Sequence, residues 1–294
     1  MLKKLFGLAA ALAALVAAPG WAQEAKDADP ALWVVKDADT TIYLFGTVHV
    51  LKPGLSWFDE AVKAAFDKSD EVVLEMIEPA PAEMQALVMK TAISTTGPNL
   101  SDKLPEASRA ALGKVAADLG TAPAALERFE PWFVALTASM APLPKLGYDP
   151  ESGAERTISA AAKAANKPLI GLETAEQQLG FLDTMPEDLQ VKFLVSTLDS
   201  YDKSGAMLDK MVSNWSAGDA VALGETMNEA LRETPEVGKL LLADRNVRWA
   251  DWIAARMEKP GTVFVAVGAG HLAGSDSVQA QLAKHKLTAV RVEY

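Results

Sequence analysis

Short apolar runs at both ends of the chain constrain its fold more than any other feature. Val263 to Val267 is uninterruptedly apolar, and a run this short and apolar on both faces is typical of a strand buried in a parallel sheet. Near the other end, extended runs over residues 41–45 and 71–75 flank a helical pattern, which is the order of a βαβ unit. The sequence therefore predicts an α/β fold with a central, mostly parallel sheet built from the two ends.

The middle of the chain has mostly helical periodicity. Helical insertions are expected over about 81–146 and 186–258, around a further strand over 167–173. Ser56 is expected to cap the first helix, and a helix over 275–284 is expected before a closing strand over 288–292. We expect a single domain over 23–294, in which the helical insertions form a cap on the sheet.

The first twenty-two residues have the organisation of an export signal. Lys3 and Lys4 precede an apolar run of fourteen residues, and Gly20 and Ala22 place small residues at the cleavage site. A helix that spans a bilayer needs about twenty apolar residues, so cleavage after Ala22 is favoured over the alternative of an uncleaved anchor. The mature protein is then expected to be periplasmic or secreted, with no stable membrane insertion.

Composition excludes several classes of function. The chain has no cysteine, which removes thiol catalysis, thiolate metal sites and lipid attachment at a cysteine. Its net charge is −11 and it has no basic tract, so nucleic acid is not an expected partner. The expected partner is a peptide or a small-molecule substrate, and the sequence indicates no oligomeric state.

A Gly-x-x-His pattern occurs twice, each time directly after a predicted strand. Gly46 leads to His49, and Gly268, followed by Gly270, leads to His271. Glycine lets the backbone turn sharply and approach a ligand closely, and histidine can bind a divalent metal or move a proton. Because ligands in open α/β sheets bind beyond the carboxyl ends of the strands, both histidines are expected in one crevice.

Two glutamates complete this candidate site. Glu75 and Glu173 each end a predicted strand, so two imidazoles and two carboxylates could meet, a ligand set suited to Mn, Co, Zn or Fe. Other interpretations remain open. Either Gly-x-x-His histidine could be a hydrogen-bonded structural residue, and Glu173 could cap the helix that begins near Thr174. The third histidine, His285, is expected at the surface.

Several segments also resemble the TraB/GumN family, relatives of the Tiki metalloproteases. The resemblance implies an α/β fold shared with erythromycin esterases and the haem-binding ChaN lipoproteins. It also implies a divalent-metal site that includes His49, His271 and Glu75, with Glu173 and Arg245 as further matching positions. The matching segments are Thr40–His49, Val73–Glu75, Gly147–Asp149, Lys167–Thr174 with Glu176 and Gln177, Arg245–Asn246 and Val267–Gly274.

Together these features predict a periplasmic, divalent-metal-dependent hydrolase, with peptide bonds as the expected substrate. In this hypothesis the metal activates water, and either Glu75 or Glu173 serves as ligand or as general base. Arg245 would stabilise the oxyanion, unless it forms only a helix-surface ion pair with Asp244 or Asp251. The alternatives are a protein that binds haem or another small molecule in the same crevice without turnover, and an interaction protein of the cell envelope.

Overall fold

The computed structural model describes residues 25–293. The expected export signal over residues 1–22 lies outside this range and stays a prediction. Within the described range, no helix is both long enough and apolar enough to cross a membrane.

The centre of the fold is a six-stranded sheet. Its strands, with two short strands of a separate pair, are β1 (Lys26–Asp27), β2 (Leu32–Lys36), β3 (Thr40–Thr47), β4 (Leu55–Ser56), β5 (Glu71–Met76), β6 (Leu169–Glu173), β7 (Gly261–Gly268) and β8 (Val290–Arg291). The sheet order is β6-β5-β7-β3-β2-β8, and β1 pairs with β4. The first four strands of the sheet run parallel, whereas β2 is antiparallel to both β3 and β8. The mostly parallel α/β fold predicted from the sequence is confirmed.

Helices cover both faces of this sheet. They are α1 (Glu60–Lys68), α2 (Pro81–Thr91), α3 (Glu106–Asp118), α4 (Pro131–Met140), α5 (Ala154–Ala164), α6 (Ala175–Asp183), α7 (Glu187–Asp199), α8 (Ser204–Ser216), α9 (Ala220–Ala230), α10 (Pro235–Gly238), α11 (Asp244–Met257) and α12 (Val278–Leu282). A π-helical turn over Lys239–Ala243 joins α10 to α11. Short 3₁₀ turns occupy several connections, and the turn over Ala269–Leu272 follows β7.

The apolar pattern of β7 explains why helices cover both faces of the sheet. Phe264 and Ala266 pack in a cluster with residues of α1 and α5, whereas Val263 and Val265 pack on the other face with residues of α11 and α12. Because successive side chains of a strand point to opposite faces, a strand covered on both faces must be apolar at every position. The intervening helices α3, α4 and α7 bury a separate apolar cluster of their own.

One local expectation is wrong, and two elements are shorter than expected. Ser56 does not cap the first helix, because it lies in β4, where its carbonyl accepts from the Ala28 N–H; α1 begins at Glu60. The helix expected over 275–284 is the shorter α12, capped by the Ser277 hydroxyl. The closing strand is β8 (Val290–Arg291), and the Val292 N–H after it also donates to the Leu32 carbonyl. In addition, the sequence pattern does not predict β2, although this strand forms a hairpin with β3.

Candidate functional site

The carboxyl ends of four neighbouring parallel strands bring the predicted residues to one edge of the sheet. Glu75 lies near the end of β5 and Glu173 is the last residue of β6. His49 follows β3 by two residues, and His271 lies in the 3₁₀ turn that follows β7. The strand order therefore places these four residues at one edge of the sheet.

Arg245, on the first turn of α11, connects the two glutamates. Its Nη2 lies 2.6 Å from Glu75 Oε2 and 2.7 Å from Glu173 Oε2, and its Nε lies 3.0 Å from Glu173 Oε1. The side chain is buried, and within residues 25–293 no ion pair joins it to Asp244 or Asp251. Arg245 thus belongs to the site and not to a pair on the helix surface.

Glu173 is not the cap of the following helix. Thr174 takes that position, and its hydroxyl accepts from the Gln177 N–H while the Gln177 side chain accepts from the Thr174 N–H. The Glu173 carboxylate is buried and also accepts from the Gln178 amide at 3.1 Å. Its side chain is therefore held by Arg245 and Gln178, and is free of any capping role.

His271 is buried and held in one orientation. Its Nδ1 lies 2.6 Å from Asn246 Oδ1, and the Asn246 amide nitrogen donates in turn to the Asp276 carbonyl at 2.8 Å. Because an amide oxygen can only accept, Nδ1 carries the proton and Nε2 keeps a lone pair. That Nε2 lies 3.6 Å from Glu75 Oε1 and 3.2 Å from Arg245 Nη1.

Electrostatics keep this histidine neutral beside an ionised carboxylate. Burial lowers the pKa of His271 to about 3, against the opposing effect of Glu75. Burial alone would raise the pKa of Glu75, but the Arg245 guanidinium, the charged His49 and the Gly268 N–H, 2.6 Å from Oε1, hold it below its usual range. A neutral imidazole and a carboxylate are the forms in which these groups bind metal ions.

His49 forms a second pair at the mouth of the crevice. Its side chain is 73% exposed, and its Nδ1 lies 2.8 Å from Glu155 Oε1, which also accepts from the Thr47 hydroxyl at 2.5 Å. The Glu155 carboxylate raises the pKa of His49 to about 9. Glu75 raises and Arg245 lowers this pKa as well, so His49 is within electrostatic reach of the buried network.

Sequence reasoning missed Glu155 and gave Asn246 no role of its own. Each orients a histidine of the candidate site from a helix, Glu155 from the first turn of α5 and Asn246 from α11. The signal for Asn246 is its position next to Arg245. The sequence signal for Glu155 is weaker: it is the second residue of α5, two residues after Gly153.

The predicted glycines permit close approaches around the site. A Cβ on Gly268 would lie 3.0 Å from Glu75 Oε1, and one on Gly46 would lie 3.0 Å from the Ala269 Cα. Gly270 faces Met227 in the same way. A side chain at Gly268 would therefore crowd the carboxylate that its own N–H binds.

Two side chains of the site, His271 and Glu75, have donor atoms that suit a single divalent ion. His271 Nε2 has a free lone pair, and the ionised Glu75 carboxylate is 3.6 Å away. Across residues 25–293, no three histidine, aspartate or glutamate side chains converge as a ready-made metal site. Arg245 donates toward the same Nε2, so a cation and this hydrogen bond would compete for that nitrogen.

Comparison with known proteins places the chain in a family. An uncharacterized protein of Escherichia coli (strain K12), YbaP, is 24% identical over 257 residues, which cover 86% of this chain and 92% of YbaP. An uncharacterized protein of Treponema pallidum (strain Nichols) is 26% identical over 272 residues, covering 87% of this chain and 80% of the relative. No solved structure matches the chain significantly. Residues 31–291 match the TraB/PrgY/gumN family, and the chain belongs to that family.

Proposed function

We propose that this protein is a divalent-metal-dependent hydrolase that acts on peptide bonds. The observation that carries the proposal is the buried, neutral His271, whose Nδ1 is fixed by Asn246 and whose Nε2 faces the ionised Glu75. Histidine ligands of metal ions commonly donate their other ring N–H to an outer acceptor in this way. The bound ion, one of Mn, Co, Zn or Fe, would lower the pKa of a water molecule and polarise the scissile carbonyl.

The residues of the site would act as metal ligands and as the general base. His271 and Glu75 would hold the ion. His49 would be the third ligand, and binding would release the proton that its pairing with Glu155 retains. The lowered pKa of Glu75 keeps its carboxylate ionised, which suits a ligand better than a base. Glu173 would then take the proton from water and pass it to the leaving amine.

Arg245 would stabilise the oxyanion that forms on the carbonyl through its positive charge, because each of its N–H groups already has a partner among the described residues. Its guanidinium is always charged and presents several N–H groups, and the network around it already fixes its orientation. Water adds across the C–N bond, so the products are a carboxylate and an amine.

The test is elemental analysis of the chain over residues 23–294 after incubation with Mn, Co and Zn in turn. The parent is expected to bind about one ion per chain, because the proposed site is single. His49→Ala and His271→Ala are expected to lose it. His285→Ala is the matched control, since that histidine pairs with Asp251 at the surface and lies outside the site. Glu173→Gln is expected to retain the ion and to lose hydrolysis of a peptide library.

Full metal content in both His49→Ala and His271→Ala would show that the ligand assignment is wrong. A parent that binds none of the three ions would overturn the metallohydrolase. In that case a haem Soret band on titration, without hydrolysis of the library, would favour the ligand-binding alternative. One stoichiometric envelope partner bound by metal-free protein would favour the interaction protein.

A further inference from the structure

A groove beside the candidate site is not used by the proposed mechanism. It has a volume of about 710 Å³ and lies between α2, the end of β6 and the start of α6. Small-molecule pockets usually hold about 300–1,000 Å³, so the groove can accept a ligand of substantial size. Glu173 lines this groove and also binds Arg245, so the groove adjoins the candidate site at Glu173.

One wall of the groove is the free edge of the sheet. β6 is the last strand on its side, so in the described structure one of its edges pairs with no other strand. Pro168 accepts from the Val72 N–H of β5, and backbone groups alternate in direction along a strand. Leu169, Gly171 and Glu173 therefore turn their N–H and C=O groups to the open edge. The last two of these residues line the groove.

The opposite wall is apolar and thinly packed. Ala86 and Leu87 of α2 line it, and Ile77, which follows β5 and lies beside Gly171, adds an apolar side chain that is 49% exposed. None of the residues of α2 is buried, although α2 is an eleven-residue helix. Addition of a strand to a sheet uses two surfaces. The free strand edge pairs with the backbone of the added strand, and the exposed apolar side chains beside it contact its side chains.

The rim of the groove carries more acid than base. Glu83, Glu173 and Glu176 line it together with a single cation, Lys90, which is paired with Glu176 at 3.0 Å. Glu173 is already paired with Arg245, which leaves Glu83 as the acidic group without a basic partner among the described ion pairs. The charge balance therefore favours a ligand with a basic group.

We propose that the groove binds an extended peptide segment with apolar and basic side chains, which adds as a strand to the free edge of β6. Its backbone would pair with Gly171 and Glu173, and its apolar side chains would contact Ile77 and Leu87. The segment then leads to Glu173 and the candidate site. Its cleavage there rests on the proposed function, whereas its binding does not.

The test measures binding in the absence of turnover. The probe is a fluorescein-labelled decapeptide in which valine alternates with lysine, followed by anisotropy with the purified protein in excess EDTA. Ala86→Trp fills the groove from an exposed position of α2, and binding is expected to weaken at least about tenfold. Gln85→Trp is the matched control, because this exposed neighbour does not line the groove, and its binding is expected to equal that of the parent.

A second probe tests the strand pairing itself. The same decapeptide methylated at alternate backbone nitrogens cannot donate along one edge, and it is expected to bind at least about tenfold more weakly. Replacement of its lysines by glutamates is also expected to weaken binding. The proposal is overturned if the parent does not bind the first probe, if Ala86→Trp binds as the parent does, or if methylation has no effect. Because EDTA is present throughout, failure of the metallohydrolase would leave these binding results unchanged.

Discussion

At the scale of single residues, Arg245 determines the electrostatics of the site. It is buried and it contacts both glutamates and His271. Two carboxylates taken out of water repel each other and lose their hydration, so they need a fixed positive charge nearby. The same residue that would stabilise an oxyanion is thus also required to keep the crevice folded.

This dual role gives a prediction on stability. Arg245→Met leaves Glu75 and Glu173 buried without their common counter-charge, and the free energy of unfolding is expected to fall by about 3–5 kcal/mol. Urea denaturation measures the loss. Arg248→Gln is the control. The Arg248 side chain is half-exposed, and its Nη2 lies 3.6 Å from Glu173 Oε1, too far for a hydrogen bond. Its substitution is therefore expected to cost less than about 1 kcal/mol.

A second substitution separates charge from packing. Adding Glu173→Gln to Arg245→Met removes one unpaired charge, so the double variant is expected to be more stable than Arg245→Met alone. Equal stability of these two variants would show that Arg245 acts through its packing and not through its charge.

At the scale of elements, the sequence predicts the features that depend on local sequence pattern. β3, β5 and β7 are recognisable because burial on both faces demands apolar runs, and the edge strand β6 keeps a short apolar run of its own. These runs also place Glu75 and Glu173 at strand ends. The roles of Glu155 and Asn246 could not be predicted in this way. They lie on helices, and helix packing alone brings them to His49 and His271.

The junction before α5 supplies a prediction at this scale. A Cβ on Gly153 would lie 2.3 Å from the His49 carbonyl oxygen, and backbone cannot move aside as a flexible side chain can. Gly153→Ala is therefore expected to lower the free energy of unfolding by about 1–3 kcal/mol and to loosen the His49–Glu155 pair.

The same substitution elsewhere provides the control. Gly113 lies inside α3, and a Cβ added to it would have no atom within 4 Å, so Gly113→Ala is expected to gain about 0.5–1 kcal/mol from helix propensity. Thermal or urea unfolding of the two variants gives the comparison. A Gly153→Ala protein as stable as Gly113→Ala would contradict the close approach at His49.

At the scale of the whole molecule, the parallel strands and the helices inserted between β5 and β7 contribute different parts of the candidate site. The parallel strands fix the candidate site at their carboxyl ends, and the helices inserted between β5 and β7 supply Glu155, Gln178 and Arg245 around it. The insertion also builds the α2 wall of the groove.

The last prediction concerns where this molecule acts. We propose that residues 1–22 direct export and are removed, so the chain made in a Gram-negative host is expected in the osmotic-shock fraction with Gln23 as its first residue. Intact mass measures the cleavage site. The peptidase accepts only a small residue before the cut, so Ala22→Arg is expected to block processing, whereas Ala25→Arg, three residues beyond the cut, should leave it intact. A parent chain that keeps Met1 and stays in the cytosol would contradict export, and with it a periplasmic substrate.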